Sequence, residues 1–194
     1  ATGKVPVIYL QNSGEGNIIN PLASLLSEEV YGIPAWFIIG WRGELGIPDE
    51  PQHVQQGKVT LSLLDTMGVP YVVVDKEMTV NDLGKKLESL QQIINAGRQV
   101  ALVIRKGALE NELKVKHTNN NQLTREKIIY AVAKAAAESP IISTTGKASR
   151  ELFEYRESKG QGHGFDFLTV GSMGHSSSIA LGLALQKPEQ EVWC

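Results

Sequence analysis

The chain has 194 residues, 42% hydrophobic and 21% charged, with a net charge of −2 at neutral pH. This composition suits a folded chain with one or two cores, and the near-balance of interspersed charges leaves no basic stripe for nucleic acid or for an anionic membrane. The single cysteine, Cys194, excludes an internal disulfide framework, no apolar run nears the roughly 20 residues that span a bilayer, and no secretory leader opens the chain, so a cytoplasmic location is expected.

In chain order, the first strand is expected at 5–10 (VPVIYL). A helix is expected over 20–31, where Leu22, Leu25, Leu26 and Val30 recur at helical spacing and Pro21 suits a first turn. A second strand, 35–40 (AWFIIG), leads into a long turn, GWRGELGIPDEPQH (40–53), and a helix at 59–67. A third strand at 70–74 precedes a helix over 80–97, with Leu83, Leu87, Leu90 and Ile94 on one face and Gly97 as its C-terminal stop. The fourth strand is 99–104. From Lys106 to Asn121 the chain turns polar and loses any period; His117 lies here and reads as solvated. Alternation then restarts: a helix at 124–139 capped by Thr124, a strand at 140–144, a helix at 148–158, a strand at 166–170, a helix at 174–186, and a strand-like run ending at Cys194.

Strands alternating with helices mark βαβ units and parallel sheets. The fold class is therefore α/β, in two parallel-sheet layers: one domain at 1–110 and another at 122–194, with residues 111–121 as linker. Both ends look cut. A strand follows residue 1 almost at once and another stops at Cys194, so a portion of a longer protein is expected, lacking the N-terminal part of one domain and the C-terminal part of the other.

In parallel α/β sheets ligands sit at the carboxyl ends of strands, and a helix N-terminus offers free N–H groups and a positive dipole end to an anion. Four such turns stand out: QNSGEGN (11–17), GWRGELGIPDEPQH (40–53), TTGKAS (144–149) and GSMGHSSS (171–178). QNSGEGN lacks the third glycine of a dinucleotide fingerprint, and TTGKAS lacks the upstream glycine of a P-loop. His53, His117, His163 and His175 show no metal-site spacing. His163, in GQGHGF, reads as part of a lid or a mobile loop. Met173 is unusual, because a methionine in a turn has no helical core face to explain it.

The phrases YLQNSGEGNIINPLASL, IGWRGELGIPDEPQH, ISTTGKASRELFE and DFLTVGSMGHSSSIALGLAL, in this order, resemble the thiamine diphosphate-dependent 2-oxo acid decarboxylases. The DEPQH segment is most similar to the members acting on phosphonopyruvate. The resemblance implies a pyrimidine-binding-type domain followed by a diphosphate-binding-type domain. It also implies a homo-oligomer whose site is shared between subunits, and a small anionic 2-oxo acid as substrate. The implied reaction turns 3-phosphonopyruvate into phosphonoacetaldehyde and carbon dioxide; a sulfopyruvate decarboxylase-like enzyme and a non-catalytic fragment or subunit that binds partner chains are the alternatives.

By the same resemblance, Gly171, Ser172, Met173, Gly174 and His175 form the cofactor turn, with Met173 under the thiazolium. Thr145, Gly146 and Ser149 line a second strip of the pocket. His53 matches an active-site histidine; read without the resemblance it is an exposed loop histidine ahead of a helix. Arg42 joins it as a cation for the substrate, with Lys147 and Arg150 as further candidates. The family's activating glutamate lies upstream of the first strand, on a stretch this chain does not contain, and Glu15 is not its match. The Mg2+ ligands are expected beyond Cys194, and the 194-residue chain alone is expected to be inactive.

Overall fold

The computed structural model describes residues 3–112 and 119–194, so His117 and most of the expected linker lie outside it. The chain divides into two compact units, Ala1–Lys114 and Val115–Cys194.

The first unit runs β1 (Val7–Gln11), a 3-10 turn (Asn12–Gly14), α1 (Glu15–Ala23), β2 (Trp36–Gly40), α2 (Pro51–Thr66), β3 (Tyr71–Val74), α3 (Val80–Asn95) and β4 (Val100–Ile104). All four strands are parallel, in the order β1-β2-β4-β3. Gln11, Gly40, Ile104 and Val74 stand in register across the carboxyl edge. The chain moves outward from β2 to β3 and back to β4, and right-handed crossovers then set α2 and α3 on opposite faces. The two cores follow that winding. Phe37, Ile39, Ala101 and Val103 pack with Leu22 of α1 and Leu64 of α2, whereas Val100 packs with Leu90 and Ile94 of α3, as the two-residue period of a strand dictates.

The first helix differs from expectation. It begins at Glu15, straight after the 3-10 turn, and ends at Ala23. The Ser24 N–H and hydroxyl both donate to the Asn20 carbonyl, at 3.0 and 2.6 Å, which closes the last turn, and the Ser27 carbonyl then gathers the N–H groups of Val30, Tyr31 and Gly32. Leu22 is buried, but Leu25 and Val30 are exposed, so their spacing reflects no helical face. The second helix starts at Pro51, well ahead of 59, with the proline at a first-turn position that needs no N–H donor. His53 thus rides on a helix and not in a loop. The strands and α3 lie within two residues of the expected bounds, and Gly97 follows α3 with φ 84°.

The second unit runs α4 (Arg125–Ala136), β5 (Ile141–Ser143), α5 (Lys147–Ser158), β6 (Asp166–Leu168) and α6 (Ser176–Gln186). β5 pairs in parallel with β6, and on its other side Trp193 forms a parallel bridge with Ile141. Ala133, Ala136, Ile141 and Leu152 make the core, with Tyr155, Leu168 and Trp193 against it. Thr124 caps α4 by accepting the Lys127 N–H. Arg156 and Asp166, both buried, meet through two hydrogen bonds of 3.0 Å. His163 belongs to that structure. It stacks on Phe153 with ring centroids 4.4 Å apart and approaches Glu157 at 2.9 Å, so it packs onto α5. Among the described residues no helix is long and apolar enough to cross a membrane.

Candidate functional site

In the first unit, two turns and the start of α2 interlock at the carboxyl edge of the sheet. Asn12, fully buried, donates to the Arg42 carbonyl at 2.8 Å and to Thr60 Oγ1 at 2.9 Å, and accepts the Arg42 N–H at 3.1 Å. The second turn also lies directly on α2. A Cβ at Gly57 would stand 1.9 Å from the Gly43 carbonyl oxygen, and one at Gly43 equally close to that of His53, so backbone fills both spaces. Gly43 moreover has φ 68°, which favours glycine. Trp41 Nε1 donates to the Gly57 carbonyl at 3.0 Å and completes the seam.

Arg42 faces an acid absent from the sequence-based candidates. Its Nε donates to Asp49 Oδ2 at 2.7 Å while Nη2 reaches Oδ1. The Gly43 and Glu50 N–H groups donate to the same carboxylate, both at 2.8 Å. The Arg42 hydrogen bonds, with those backbone donors, hold the Asp49 carboxyl well below the usual range. Arg42 therefore clasps its own turn. His53, half-buried, lies beside that clasp in the first turn of α2.

Glu15 is the second group sequence reasoning missed. Its side chain begins α1 yet turns inward, leaving the residue 2% exposed. Oε2 accepts from Gln56 Nε2 at 3.0 Å, and Oε1 is buried without a partner. Burial pushes its carboxyl up to about 7, with hydrogen bonds to Gln56 and Thr60 pulling the other way.

In the second unit, the turns after β5 and β6 are joined. The Gly171 N–H donates to Thr145 Oγ1 at 2.7 Å. Ser149, buried at the start of α5, lies within hydrogen-bond reach of the Thr144 carbonyl (2.7 Å), the Thr169 carbonyl (3.2 Å) and the Ser143 hydroxyl (2.8 Å). Its hydroxyl therefore ties the two strand ends and faces inward. α5 starts after Gly146 (φ 92°) and α6 after His175, and neither N-terminus has a side-chain cap. Thr79 and Thr124 cap α3 and α4 in contrast.

The 171–174 turn is held by unusual backbone: φ is 75° at Gly171, 45° at Ser172 and 88° at Gly174. Ser172 is there without the freedom of glycine. Its carbonyl accepts the His175 N–H at 3.2 Å and contacts His175 Nδ1 at 3.1 Å. Met173 projects from the turn, 79% exposed. Thr169 beside it is buried with an unpartnered Oγ1. Among the described residues no group of three or more His, Cys, Asp or Glu side chains converges as a cation would need.

Two parallel-sheet units with turns at the carboxyl ends of their strands make this an α/β protein, and sheets of this kind take ligands at those ends. Along nearly its whole length the chain is similar to decarboxylases of 2-oxo acids. It is 30% identical, over 94% of its length, to a phosphonopyruvate decarboxylase from Streptomyces viridochromogenes, of which the match covers 48%. It is 26% identical, over 95% of its length, to a sulfopyruvate decarboxylase from Methanosarcina acetivorans. A 69-residue stretch, 36% of the chain, is 41% identical to the sulfopyruvate decarboxylase subunit alpha of Methanococcus maripaludis. No family model matches. The chain spans about half the length of the first two relatives.

Proposed function

We propose that the whole protein is a thiamine diphosphate-dependent carboxy-lyase that converts 3-phosphonopyruvate to phosphonoacetaldehyde and carbon dioxide. The observation that carries this is the Thr145–Gly171 hydrogen bond, which ties the turns leading into two uncapped helices. Helix N-termini of that kind suit a diphosphate, whose charge meets unpaired N–H groups and the positive dipole end. The unpartnered Thr169 hydroxyl nearby is a further polar group short of a partner. The residues present fit the cofactor's anionic end: Gly171, Ser172, Gly174 and His175 would hold it beside Thr145 and Gly146, with Ser149 fixing both strand ends from behind.

When bound, the cofactor supplies the sink for the electrons released with carbon dioxide. Met173 gives shape, an exposed apolar side chain against which a ring can rest. His53 is the proton-handling group of the first unit, and Arg42, fixed by Asp49, sets positive charge beside the substrate's anionic groups. The site is shared between copies in a homo-oligomer. Mg2+ is the expected counter-ion of the diphosphate; the described residues hold no cluster for it, and no step is assigned to it.

Titration calorimetry of the longest natural chain with thiamine diphosphate and Mg2+, followed by carbon dioxide release from phosphonopyruvate, sulfopyruvate and pyruvate, tests the reading. Saturable cofactor binding and a preference for phosphonopyruvate are expected; no binding refutes it. The 69-residue match to a sulfopyruvate decarboxylase subunit favours sulfopyruvate as the second reading, which the same assay decides.

A further inference from the structure

A hollow of about 250 Å³ opens at the carboxyl edge of the first sheet, where β1, β2 and β4 end side by side. The loops leaving β2 and β3 run to opposite faces, so they part over the end of β4, as at the switch points where α/β sheets take ligands. Its walls include Tyr9, Trp41, Arg42, Arg105 and Lys106, with three cationic side chains and no carboxylate. The three cations are not equivalent. Asp49 clasps Arg42, and Arg105 pairs with Glu44 and lies 3.7 Å from Asp75 while its guanidinium stands 5.8 Å from the Trp41 ring. Both guanidiniums are therefore pre-positioned, and Arg105 Nε is buried with no acceptor. Lys106 is exposed and has no ion pair among the described residues.

We propose that this hollow receives the tetrahedral oxyanion, phosphonate or sulfonate, of a small acid, with Lys106 as the movable cation that closes on it. Calling that acid the substrate rests on the decarboxylase reading; the binding of the oxyanion does not. A lysine on a flexible stem can follow the anion as a compact charge, whereas the two arginines, held by Asp49 and Glu44, stay fixed behind it.

The test is calorimetry of the full-length protein with phosphonoacetate and, separately, sulfoacetate. At least one is expected to bind the wild type, roughly tenfold or more weakly to Lys106→Met, in keeping with one charge-assisted contact, and near wild-type affinity is expected for Lys106→Arg. The arm that binds more tightly identifies the oxyanion. Equal binding to wild type and Lys106→Met, or binding of neither acid, overturns the proposal. Turnover separates the two readings. If Lys106-dependent binding is found but no 2-oxo acid is decarboxylated, the site stands and the function falls. If decarboxylation proceeds with the same KM in Lys106→Met, the function stands and the site falls.

Discussion

Glu15 should make the stability of the first unit fall as pH rises from about 4.5 to 7. Its carboxyl, normally near 4.5, is raised to about 7 by burial, so between those values the native state keeps a proton that the unfolded chain has already released. Stability declines wherever the native state binds more protons. The contribution is thus complete below pH 4.5, lost progressively up to about 7, and flat above. Two and a half pH units at about 1.36 kcal/mol each amount to about 3 kcal/mol. The groups hydrogen-bonded to it, Gln56 and Thr60, are neutral and do not titrate with it. Urea unfolding of wild type and Glu15→Gln from pH 4.5 to 8.5 isolates the effect, because every other titration cancels in the difference. Near pH 4.5 the two proteins should match within about 1 kcal/mol; at pH 8 the variant should be more stable by up to about 3 kcal/mol. A difference that does not change with pH would refute the reasoning and show that Glu15 stays ionised or reaches water.

Gly57→Ala should destabilise the chain by roughly 3 kcal/mol or more, since its methyl would stand 1.9 Å from the Gly43 carbonyl oxygen and only backbone could yield; chemical denaturation at pH 7 measures it. Arg156→Met should cost about 3–5 kcal/mol, because it leaves Asp166 buried without its arginine, and a loss under 1 kcal/mol would show that Asp166 turns to His163, 3.6 Å away, or to water. Met173→Ala should leave the melting temperature within a degree or two, as expected of an exposed side chain, while lowering decarboxylation by the full-length protein about tenfold or more. An unchanged rate would remove Met173 from the site.

The strands were legible because WFIIG and VALVI are short apolar runs with turn residues at each end, and the sheet that buries them gives no competing periodicity. The first helix was misplaced because the leucines at 22, 25 and 26 imitate a helical stripe, while Ser24 and Ser27 capture local backbone groups and end the helix before that stripe is complete. The second helix was shortened because its first eight residues, PQHVQQGK, are mostly polar; Pro51 was the available signal. At the site, the glycine-rich turns were visible as turns, but the hydrogen bond that joins two of them, from the Gly171 N–H to Thr145 Oγ1, leaves no mark in the local sequence. Glu15 was not visible as a buried acid. What buries it is α2, with Gln56 lying 41 residues away, and no local pattern carries that distance. Gly43 and Gly57 are similar: each looks like ordinary loop or helix punctuation, and only the packed backbones explain them.

That seam has a consequence for how this protein can be altered. With backbone pressed on backbone at Gly43 and Gly57, and Asn12 bonded to both sides, residues 42–57 form one rigid cassette together with the end of β1. Selection or engineering that seeks a new ligand preference cannot lengthen or reshape the Glu44–Pro48 tip while leaving its base to adapt, because the base has no slack. Productive variants would keep the glycines, Asn12 and Asp49 fixed and vary the side chains that project from them, so change in specificity is channelled into substitution and away from insertion.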